Sequence, residues 1–515
     1  MAKIVSMMSR LTGEIRKNGI TNTYYKVKEK RAKTLSLINY ESERLAALPT
    51  EKELEAQKKR NFVKNITFSI VVPTYHTPEL FLRQMVESVL GQTFCRVELC
   101  IADGSSDESV EKIVREYQQT DSRIKYQRLP ENKGISENTN AGLLMATGDY
   151  IGLLDHDDIL EIHALYEMRM ALAKYPEADV LYTDEDKVSF DLQHYFEPHY
   201  KPDFNPDLLR SNNYICHFLV MKRELLERVG GFRGEYDGAQ DFDLVLRLTE
   251  AAECVVHIPK VLYHWRSHEA STATNPMSKL YAYEAGRRAV EDHLKRCDET
   301  GIVTDTRFYG FYQTNYRIPR NFSVNLVFFS CNGENPKKIL NIFSRDYHRQ
   351  NAGNVIYYDN GFNKFVIFSR KMEIEGEVLV FAEAGLQGVS ADALCQLAVN
   401  CLRKDIGMAG GRVLSEKGEL LYGRMEPDEE GVLVHADAGL PKGFTGYFHK
   451  AILQQNTEGV SHRLFAVRKD LFRKWQPESS GSSEELMEQL CAFVKKSGYR
   501  IAYVPLATAN RKRDI

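Results

Sequence analysis

Residues 68–75 read FSIVVPTY, an apolar run that closes at Pro73 and is typical of a strand buried within a sheet. From this run outward, apolar segments alternate with segments of helical periodicity, such as ELFLRQMVESVLGQ at 79–92. Further strand patterns are VELCIAD at 97–103 and DYIGLL at 149–154. This alternation predicts βαβ units and an α/β fold with a mainly parallel sheet. Ligands bind at the carboxyl ends of such strands, so we expect a polar, acidic rim there.

The composition excludes several classes of protein. A chain of 515 residues with 43% hydrophobic and 27% charged residues is neither disordered, collagenous nor coiled-coil. The sequence contains neither the apolar run that a membrane span requires nor the pattern of a signal peptide. The nine scattered cysteines, without a CxxC pair, favour reduced thiols. We therefore expect a cytoplasmic protein, and the net charge of −3 gives no reason to expect nucleic acid as a partner.

The first 34 residues are strongly basic, with nine Lys or Arg and two Glu. Four apolar residues recur among them at helical spacing: Ile4, Met8, Leu11 and Ile15. Two interpretations remain open, namely peripheral contact with the anionic inner face of the cell membrane and packing against the next domain. We assign residues 1–65 to a basic helical region and a spacer.

The sharpest feature of the sequence is DHDD at residues 155–158. Three aspartates at the end of an apolar strand repel one another unless they are solvated or hold a cation. Carboxylate oxygens suit Mg²⁺ or Mn²⁺, and we predict that Asp157 holds the metal. The other aspartate of the pair, Asp155, can then face a sugar or ribose hydroxyl. Asp158 is expected to cap a following helix.

Other polar residues follow the remaining strand patterns, and each has two interpretations. Asp103, in ADGSSD, either reads a base or ribose or only forms a turn. Asp241, in GAQDFD, is either a general base or a stabiliser of a helix N-terminus. His264 either completes a metal site or packs. The loop at 184–217 has further polar groups that either contact substrates or bond within the loop: Asp184, Asp186, Asn213 and His217.

The order of patterns repeats from about residue 320. HRLFAVRKDLFRKW at 462–475 parallels CHFLVMKRELLERVGGF at 216–232, which aligns Val467 with Met221. We infer a duplicated domain. The acids of the first copy are lost in the second, where Asp155, Asp157, Asp158 and Asp241 align with Ala382, Ala384, Gly385 and Ser483. We expect the second copy to fold without catalysing a reaction.

Taken in order, the motifs of residues 60–290 resemble the family 2 glycosyltransferases, in particular bacterial enzymes of rhamnan and O-antigen type. The motifs are FSIVVPTY, CIADGSSD, ENKG followed by SENTNAG, GDYIGLLDHDD, LLERVGGF and AQDFDLVLR. The resemblance implies a GT-A fold, a nucleotide-sugar donor, Mn²⁺ or Mg²⁺ and inversion at the anomeric carbon. It also implies a growing cell-surface glycan or a lipid-linked glycan as acceptor. A non-catalytic nucleotide-sugar-binding or scaffold protein is the alternative.

The resemblance also implies a role for individual residues. Pro73, Thr74 and Tyr75 would contact the nucleoside, Asp103 the base, Lys133 a phosphate, Asp155 the ribose or sugar, Asp157 and His264 the metal, and Asp241 the acceptor hydroxyl as base. Two positions depart from the family pattern, because Gln240 and Thr139 stand where Glu and Arg are common. The resulting plan is a catalytic GT-A domain at 66–295, a linker at 296–319 and a degenerate GT-A-like domain at 320–515.

Overall fold

The computed structural model describes residues 40–267, 280–317, 319, 324–329, 355–358, 376–477 and 481–511. The basic helix predicted within residues 1–34 lies outside these ranges. Among the helices of the described ranges, none has both the length and the apolar character needed to span a bilayer.

The first half of the chain alternates strands and helices, as its periodicity predicts. Its strands are β1 Phe68–Thr74, β2 Val97–Asp103, β3 Ile124–Arg128, β4 Tyr150–Leu153, β5 Ile159–Leu160, β6 Val180–Ser189, β7 Tyr195–His199, β8 Leu219–Lys222, β9 Val255–Ser267, β10 Gly301–Asp305 and β11 Tyr312–Tyr316. Its helices are α1 Glu51–Lys59, α2 Glu79–Leu90, α3 Ser109–Gln118, α4 Ile135–Met145, α5 Ala164–Lys174, α6 Pro206–Ser211, α7 Arg223–Val229, α8 Gln240–Ala251 and α9 Leu280–Arg296. A further helical stretch covers residues 40–47.

A single mixed sheet organises this half, with strand order β3-β2-β1-β4-β8-β6-β9-β5 and β7 added to β6. Strands β1 to β4 pair in parallel, whereas β8 runs antiparallel to both β4 and β6. Every residue of β1 is buried, because the sheet is covered on both faces. Thr74 pairs with Asp103, so β1 and β2 end at the same edge of the sheet. The predicted mixed, mainly parallel GT-A-type sheet is confirmed.

The second half contains a further set of strands and helices. Its strands are β12 Val324–Phe329, β13 Val355–Tyr358, β14 Val378–Glu383, β15 Ile406–Ser415, β16 Leu420–Tyr422, β17 Arg424–Pro427, β18 Leu433–His435, β19 Gln455–Thr457, β20 Gly459–Val460, β21 Leu464–Arg468 and β22 Arg500–Arg511. Its helices are α10 Ala391–Asn400, α11 Lys469–Lys474 and α12 Ser483–Lys496.

The second sheet repeats the topology of the first. Its order β13-β12-β14-β21-β15-β22 has the same pairing directions as β2-β1-β4-β8-β6-β9. In the first sheet Ile151 pairs with Met221, and in the second Leu379 pairs with Val467. Because the sequence repeat aligns Met221 with Val467, these two registers make Ile151 equivalent to Leu379.

This equivalence corrects the alignment of the acidic turn. Counting along each strand from Ile151 and from Leu379, Asp155 corresponds to Glu383, one residue beyond the Ala382 that the sequence pattern suggested. The sequence pattern alone does not determine whether Asp155 aligns with Ala382 or with Glu383, because an apolar run of four to six residues can be aligned in either way.

The segment predicted as a linker forms a hairpin. Strands β10 and β11 pair antiparallel, and Tyr312 on β11 donates a hydrogen bond to the carbonyl of Tyr283 on α9 at 2.8 Å. Val303, Tyr312 and Tyr316 are buried at alternating positions, which is the period of a half-buried strand. The hairpin packs on α9, so the first half continues structurally past residue 295.

Buried polar contacts join the two halves. Arg403 donates to both carboxylate oxygens of Asp207 on α6, at 2.5 and 2.8 Å, and the two side chains are 4% and 0% exposed. Asn205 donates to the carbonyl of Asn456 at 2.8 Å, and Ser211 donates to that of Gln454 at 2.9 Å. The two halves are therefore expected to unfold as coupled units.

We expect Arg403→Ala to lower the free energy of unfolding by about 3–5 kcal/mol, because it leaves the Asp207 carboxylate buried without its main partner. The matched control is Lys295→Ala, which removes an exposed ion pair with Asp292 and should cost under about 1 kcal/mol. Chemical denaturation of the full chain measures both, and equal losses would contradict the structural role of the interface.

Candidate functional site

The acidic turn at residues 155–158 leaves the end of β4 and is anchored by β9. Tyr263 donates a hydrogen bond to Oδ2 of Asp158 at 2.5 Å, and the backbone N–H of Arg266 donates to Oδ1 at 2.7 Å. Asp158 is thus not the helix cap that the sequence predicted. It precedes the short strand β5, which forms only because it pairs with β9.

The side chain of Arg266 holds the backbone of the same turn. Its Nε donates to the carbonyl of Asp157 at 2.5 Å, and its Nη1 donates to Gln84 at 2.8 Å and to the carbonyl of Phe190 at 2.7 Å. The guanidinium lies 4.4 Å from the centre of the Phe81 ring. Because these contacts fix the main chain of the turn, they position the acidic side chains at the sheet edge.

The turn concentrates negative charge. Asp155 keeps 54% of its side chain open to solvent, and the loss of hydration of its carboxylate at the turn raises its pKa. His217 opposes the rise, while Asp157 and Asp241 add to it. Burial raises the pKa of Asp158 well above its usual range, and the charges of Asp157 and Asp155 add to the effect. A cation bound here would relieve this repulsion.

The donor set at the turn fits a divalent cation. Ligand atoms of Asp155, Asp158 and His217 lie within 4.8 Å of one another. Carboxylate oxygens with one imidazole suit Mn²⁺ or Mg²⁺. The hydrogen bonds to Asp158 use both of its oxygens, so Asp155 is the more available of the two carboxylates in this group. The carboxylate of Asp157, the metal ligand predicted from the sequence, is not one of the three groups brought together here.

The sequence identifies His217 only as one of four polar residues of the loop 184–217 that could contact a substrate. Its Nε2 lies 3.6 Å from Oδ2 of Asp155, and its Nδ1 lies 3.5 Å from Oε2 of Glu185. The ring stacks on Tyr263, with 4.7 Å between centroids and 28° between planes. His217 therefore connects the acidic turn to Glu185, which in turn lies 3.3 Å from the buried amine of Lys201.

Asp241 lies near the start of α8 and faces the same loop. Asn213 donates to its Oδ2 at 2.9 Å, and the thiol of Cys216 donates to this oxygen at 3.3 Å. Residues 213–217 thus contact Asp241 at one end and Asp155 at the other.

Asp243, two residues further on, has a different environment. It is fully buried and forms ion pairs with Arg233 and with Arg247, the latter at 2.9 Å. These contacts assign Asp243 to the support of α8.

Asp103 lies at the end of β2 and organises the turn that follows it. Its Oδ1 accepts hydrogen bonds from the backbone and hydroxyl of Ser105 at 2.9 and 2.5 Å and from Thr74 at 3.2 Å. Its Oδ2 accepts one from Tyr126 at 2.8 Å. Pro73 and Thr74 are the last residues of β1, and Tyr75 beyond them is 49% exposed. The predicted nucleoside contacts thus meet at one edge of the sheet.

The loop that carries Lys133 packs against this turn. A Cβ added at Gly104 would lie 2.7 Å from the amide nitrogen of Asn138, so the close approach requires glycine. Asn138 also accepts a hydrogen bond from the backbone N–H of Lys133 at 3.3 Å. The Lys133 amine is 60% exposed and pairs with Glu131 at 3.3 Å. It is therefore able to exchange this surface partner for an anionic ligand.

His264 on β9 is not part of the group formed by Asp155, Asp158 and His217. Its Nδ1 contacts Asp186 at 2.6 Å and its Nε2 contacts Glu161 at 3.3 Å. Burial opposes its charge, but the two carboxylates outweigh burial and raise the pKa of His264 to about 9. Both nitrogens are occupied, and we do not include His264 in the metal site.

The equivalent position in the second half is arranged differently. Glu383, which corresponds to Asp155, is 2% exposed and is contacted by Arg463 at 2.6 Å and by Arg511 at 2.5 Å. Arg463 occupies the position of His217 when both are counted back from the paired residues of β8 and β21. Two guanidinium groups therefore compensate the carboxylate in place of a cation.

Several supporting residues had no usable signal in the sequence. Glu185, Lys201 and Arg266 come from three separate segments, and only the pairing of β6 with β7 and β9 brings them beside the acidic turn. The sequence pattern indicates acidic residues after an apolar strand, but it does not indicate which distant residues contact them in the fold.

Comparison with known proteins identifies several that are similar to this chain. The family model described as glycosyl transferase family 2 matches residues 69–230. The uncharacterised protein y4gI of Sinorhizobium fredii is 29% identical over 481 residues, which cover 85% of this chain and 52% of that protein. The O-antigen biosynthesis protein RfbC of Myxococcus xanthus is 30% identical over 463 residues, covering 84% of this chain and 36% of that protein. The chain thus spans about half or less of the length of these two relatives.

A solved structure is also similar. The crystal structure of S. aureus TarS residues 1–349 is 19% identical with a TM-score of 0.36, and the match covers 44% of this chain and 65% of that one.

The His264 cluster predicts a pH dependence of stability. Because the pKa of His264 is about 9 when folded and 6.5 ordinarily, its contribution is complete below pH 6.5 and is lost as the pH rises through 9. The shift corresponds to about 3 kcal/mol. We expect the free energy of unfolding, measured by denaturant titration, to fall over this window in the wild type.

In His264→Gln this fall should largely disappear, since the side chain no longer titrates. The matched control is the exposed His194, and His194→Gln should keep the wild-type pH profile. An unchanged slope in His264→Gln would show that the cluster is not charged as described.

Proposed function

We propose that this chain, whose residues 69–230 match the glycosyl transferase family 2 model, transfers a sugar from a nucleotide-diphosphate sugar to a glycan acceptor, with inversion and with a divalent metal. The observation that carries this proposal is the link between two groups of acids. The loop 213–217 contacts Asp155 at the end of β4 and Asp241 at the start of α8. One loop thus contacts both a proposed donor-binding group and a candidate base.

On this proposal the donor lies along the edge formed by β1, β2 and β4. The nucleoside contacts Pro73, Thr74 and Tyr75 and the turn at Asp103, and the amine of Lys133 pairs with a phosphate. Such ligands bind at the carboxyl ends of parallel strands, which is where these residues lie. Tyr75 is the exposed apolar surface on which a base would pack.

Asp155 and Asp157 would complete the donor site. Asp155 would accept a hydrogen bond from a ribose or sugar hydroxyl, and Asp157 would hold the cation together with the diphosphate. A divalent cation bound there supplies electrostatic stabilisation of the charge that develops on the leaving diphosphate. Tyr263 and Arg266 keep the turn in place through the carboxylate of Asp158 and the carbonyl of Asp157.

Asp241 is the proposed general base. Because Asn213 and Cys216 both donate to its Oδ2, the carboxylate is held in one orientation. Its role is to take the proton of the acceptor hydroxyl while the hydroxyl oxygen attacks the anomeric carbon from the face opposite the leaving group. A single displacement of this kind inverts the configuration, and it requires no covalent intermediate.

The second half is proposed to be non-catalytic. The position of Asp155 is taken by Glu383, whose charge is compensated by two arginines, and the position of Asp157 by Gly385. A carboxylate whose charge is already compensated by two guanidinium groups gains little free energy from binding a cation. The repeated sheet therefore serves packing and assembly in this account.

The acceptor is proposed to be a growing bacterial cell-surface glycan or a lipid-linked glycan. The name of the Myxococcus xanthus relative, an O-antigen biosynthesis protein, supports this class of acceptor. The basic segment at residues 1–34 is proposed to contact the inner face of the membrane, where such acceptors are elongated.

Asp241→Asn should leave the donor dissociation constant nearly unchanged and lower kcat by about 10²–10⁴-fold, because a base acts only in the transition state. A metal-dependent transfer assay across a panel of nucleotide sugars measures kcat, and calorimetry measures the donor. Asp191→Asn, in an exposed turn, is the control and should behave as wild type. Near wild-type kcat in Asp241→Asn would refute the assigned role. Donor binding without any turnover by the wild type would instead favour the non-catalytic alternative.

Asp157→Ala should abolish the metal-dependent part of donor affinity, whereas Glu383→Gln in the second half should retain it. Calorimetric titration of the donor, with and without Mn²⁺, measures both variants after thermal unfolding has shown that each is folded. Unchanged Mn²⁺-dependent affinity in Asp157→Ala would contradict the metal site. Loss of that affinity in Glu383→Gln would show that the second copy takes part.

A further inference from the structure

Three aromatic side chains form an exposed patch beside the cleft. Tyr200 of the first half is 45% exposed, and Tyr447 and Phe448 of the second half are 45% and 38% exposed. Large apolar rings left open to solvent in one place are typical of ligand-binding surfaces. We call Tyr200, Tyr447 and Phe448 the aromatic patch.

The patch is built jointly by the two halves. The hydroxyl of Tyr447 donates to the carbonyl of Pro198 at 2.7 Å and accepts from the backbone N–H of Tyr200 at 2.9 Å. Phe448 stacks on His199, with 3.7 Å between ring centroids and 11° between planes. These contacts fix the rings against the end of β7, so the patch is preorganised.

The backbone that presents Phe448 is strained. Phe448 and His449 have φ values of 46° and 60°, a left-handed conformation that residues other than glycine rarely adopt. His449 is held there by a 2.6 Å contact between its Nδ1 and the hydroxyl of Thr445 and by stacking on Phe308 at 3.9 Å. Strain that the surroundings maintain in this way is concentrated at functional sites.

A series of side-chain contacts connects the aromatic patch to the candidate site. His199, beneath Phe448, lies 3.4 Å from Oε1 of Glu185, and Oε2 of Glu185 lies 3.5 Å from His217. His217 is 3.6 Å from Asp155 in the cleft. The chain of contacts from Phe448 to the acidic turn therefore passes through only three side chains.

We propose that the aromatic patch binds the acceptor glycan at sugar units preceding the one that is extended, so that the second half supplies part of the acceptor site. This inference rests on the proposed function. The C–H groups of a pyranose ring carry partial positive charge and pack on the negative face of an aromatic ring. The Lys450 amine, 5.6 Å from the Tyr447 ring, adds a hydrogen-bond donor beside the patch. A preorganised aromatic surface that is connected to the acidic turn through His199, Glu185 and His217 fits an extended glycan.

The test titrates the full-length protein against an array of defined bacterial surface oligosaccharides, without donor. We expect the wild type to retain at least one oligosaccharide, and Phe448→Ala to bind it at least about tenfold more weakly. Phe448→Tyr, which keeps an aromatic face, should restore binding. Phe190→Ala removes an exposed phenylalanine outside the patch and should bind as the wild type does.

Two further measurements separate this inference from the proposed function. Calorimetry should give the same donor affinity for Phe448→Ala as for the wild type, and Asp157→Ala should bind the oligosaccharide normally although its donor binding is lost. Failure of donor binding in the wild type would refute the proposed function and leave the oligosaccharide result to be judged by itself. Equal oligosaccharide binding by Phe448→Ala and wild type, or retention of no oligosaccharide by a wild type that hydrolyses donor, would overturn the inference.

Discussion

Three carboxylates follow β4 within four residues, and β9 holds them in place against their mutual repulsion. Tyr263 and the backbone of Arg266 satisfy Asp158, and the Arg266 guanidinium fixes the carbonyl of Asp157. This arrangement stabilises the main chain but leaves negative charge in the cleft, where the pKa of Asp155 is raised.

The second half shows what happens to the same sheet when this charge is compensated internally. Glu383 occupies the position of Asp155, and Arg463 and Arg511 neutralise it. The apolar framework and its strand directions persist, and Arg403 joins it to Asp207 of the first half through a buried ion pair. The second half thus keeps the packing of the sheet, although its carboxylate at this position is paired with two arginines. The contact of Tyr447 with Tyr200 joins this half to the residue that follows β7.

Periodicity in the sequence was sufficient to predict the parallel strands β1 to β4 and the acidic rim at their ends, because buried parallel strands are continuously apolar. It failed where pairing between distant segments decides the local structure. The sequence predicts Asp158 as a helix cap because it does not reveal that the next two residues form the strand β5. This strand depends on pairing with β9, about a hundred residues later. The sequence predicts His264 as a metal ligand because it does not reveal that Asp186 and Glu161 lie beside both nitrogens of its ring. The hairpin at 301–316 was taken for a linker, although Val303, Tyr312 and Tyr316 show the alternation of a strand.

The central claim is that the acidic turn of the first half, and not its counterpart in the second, forms a cation-dependent donor site. Anomalous diffraction from crystals of the full chain, grown with Mn²⁺ and the nucleotide sugar it binds most tightly, tests this claim most directly. The account predicts an anomalous peak between the carboxylates of Asp155 and Asp157 and the donor diphosphate, and none beside Glu383. A bound donor without Mn²⁺ at the turn, or a peak beside Glu383, would contradict it.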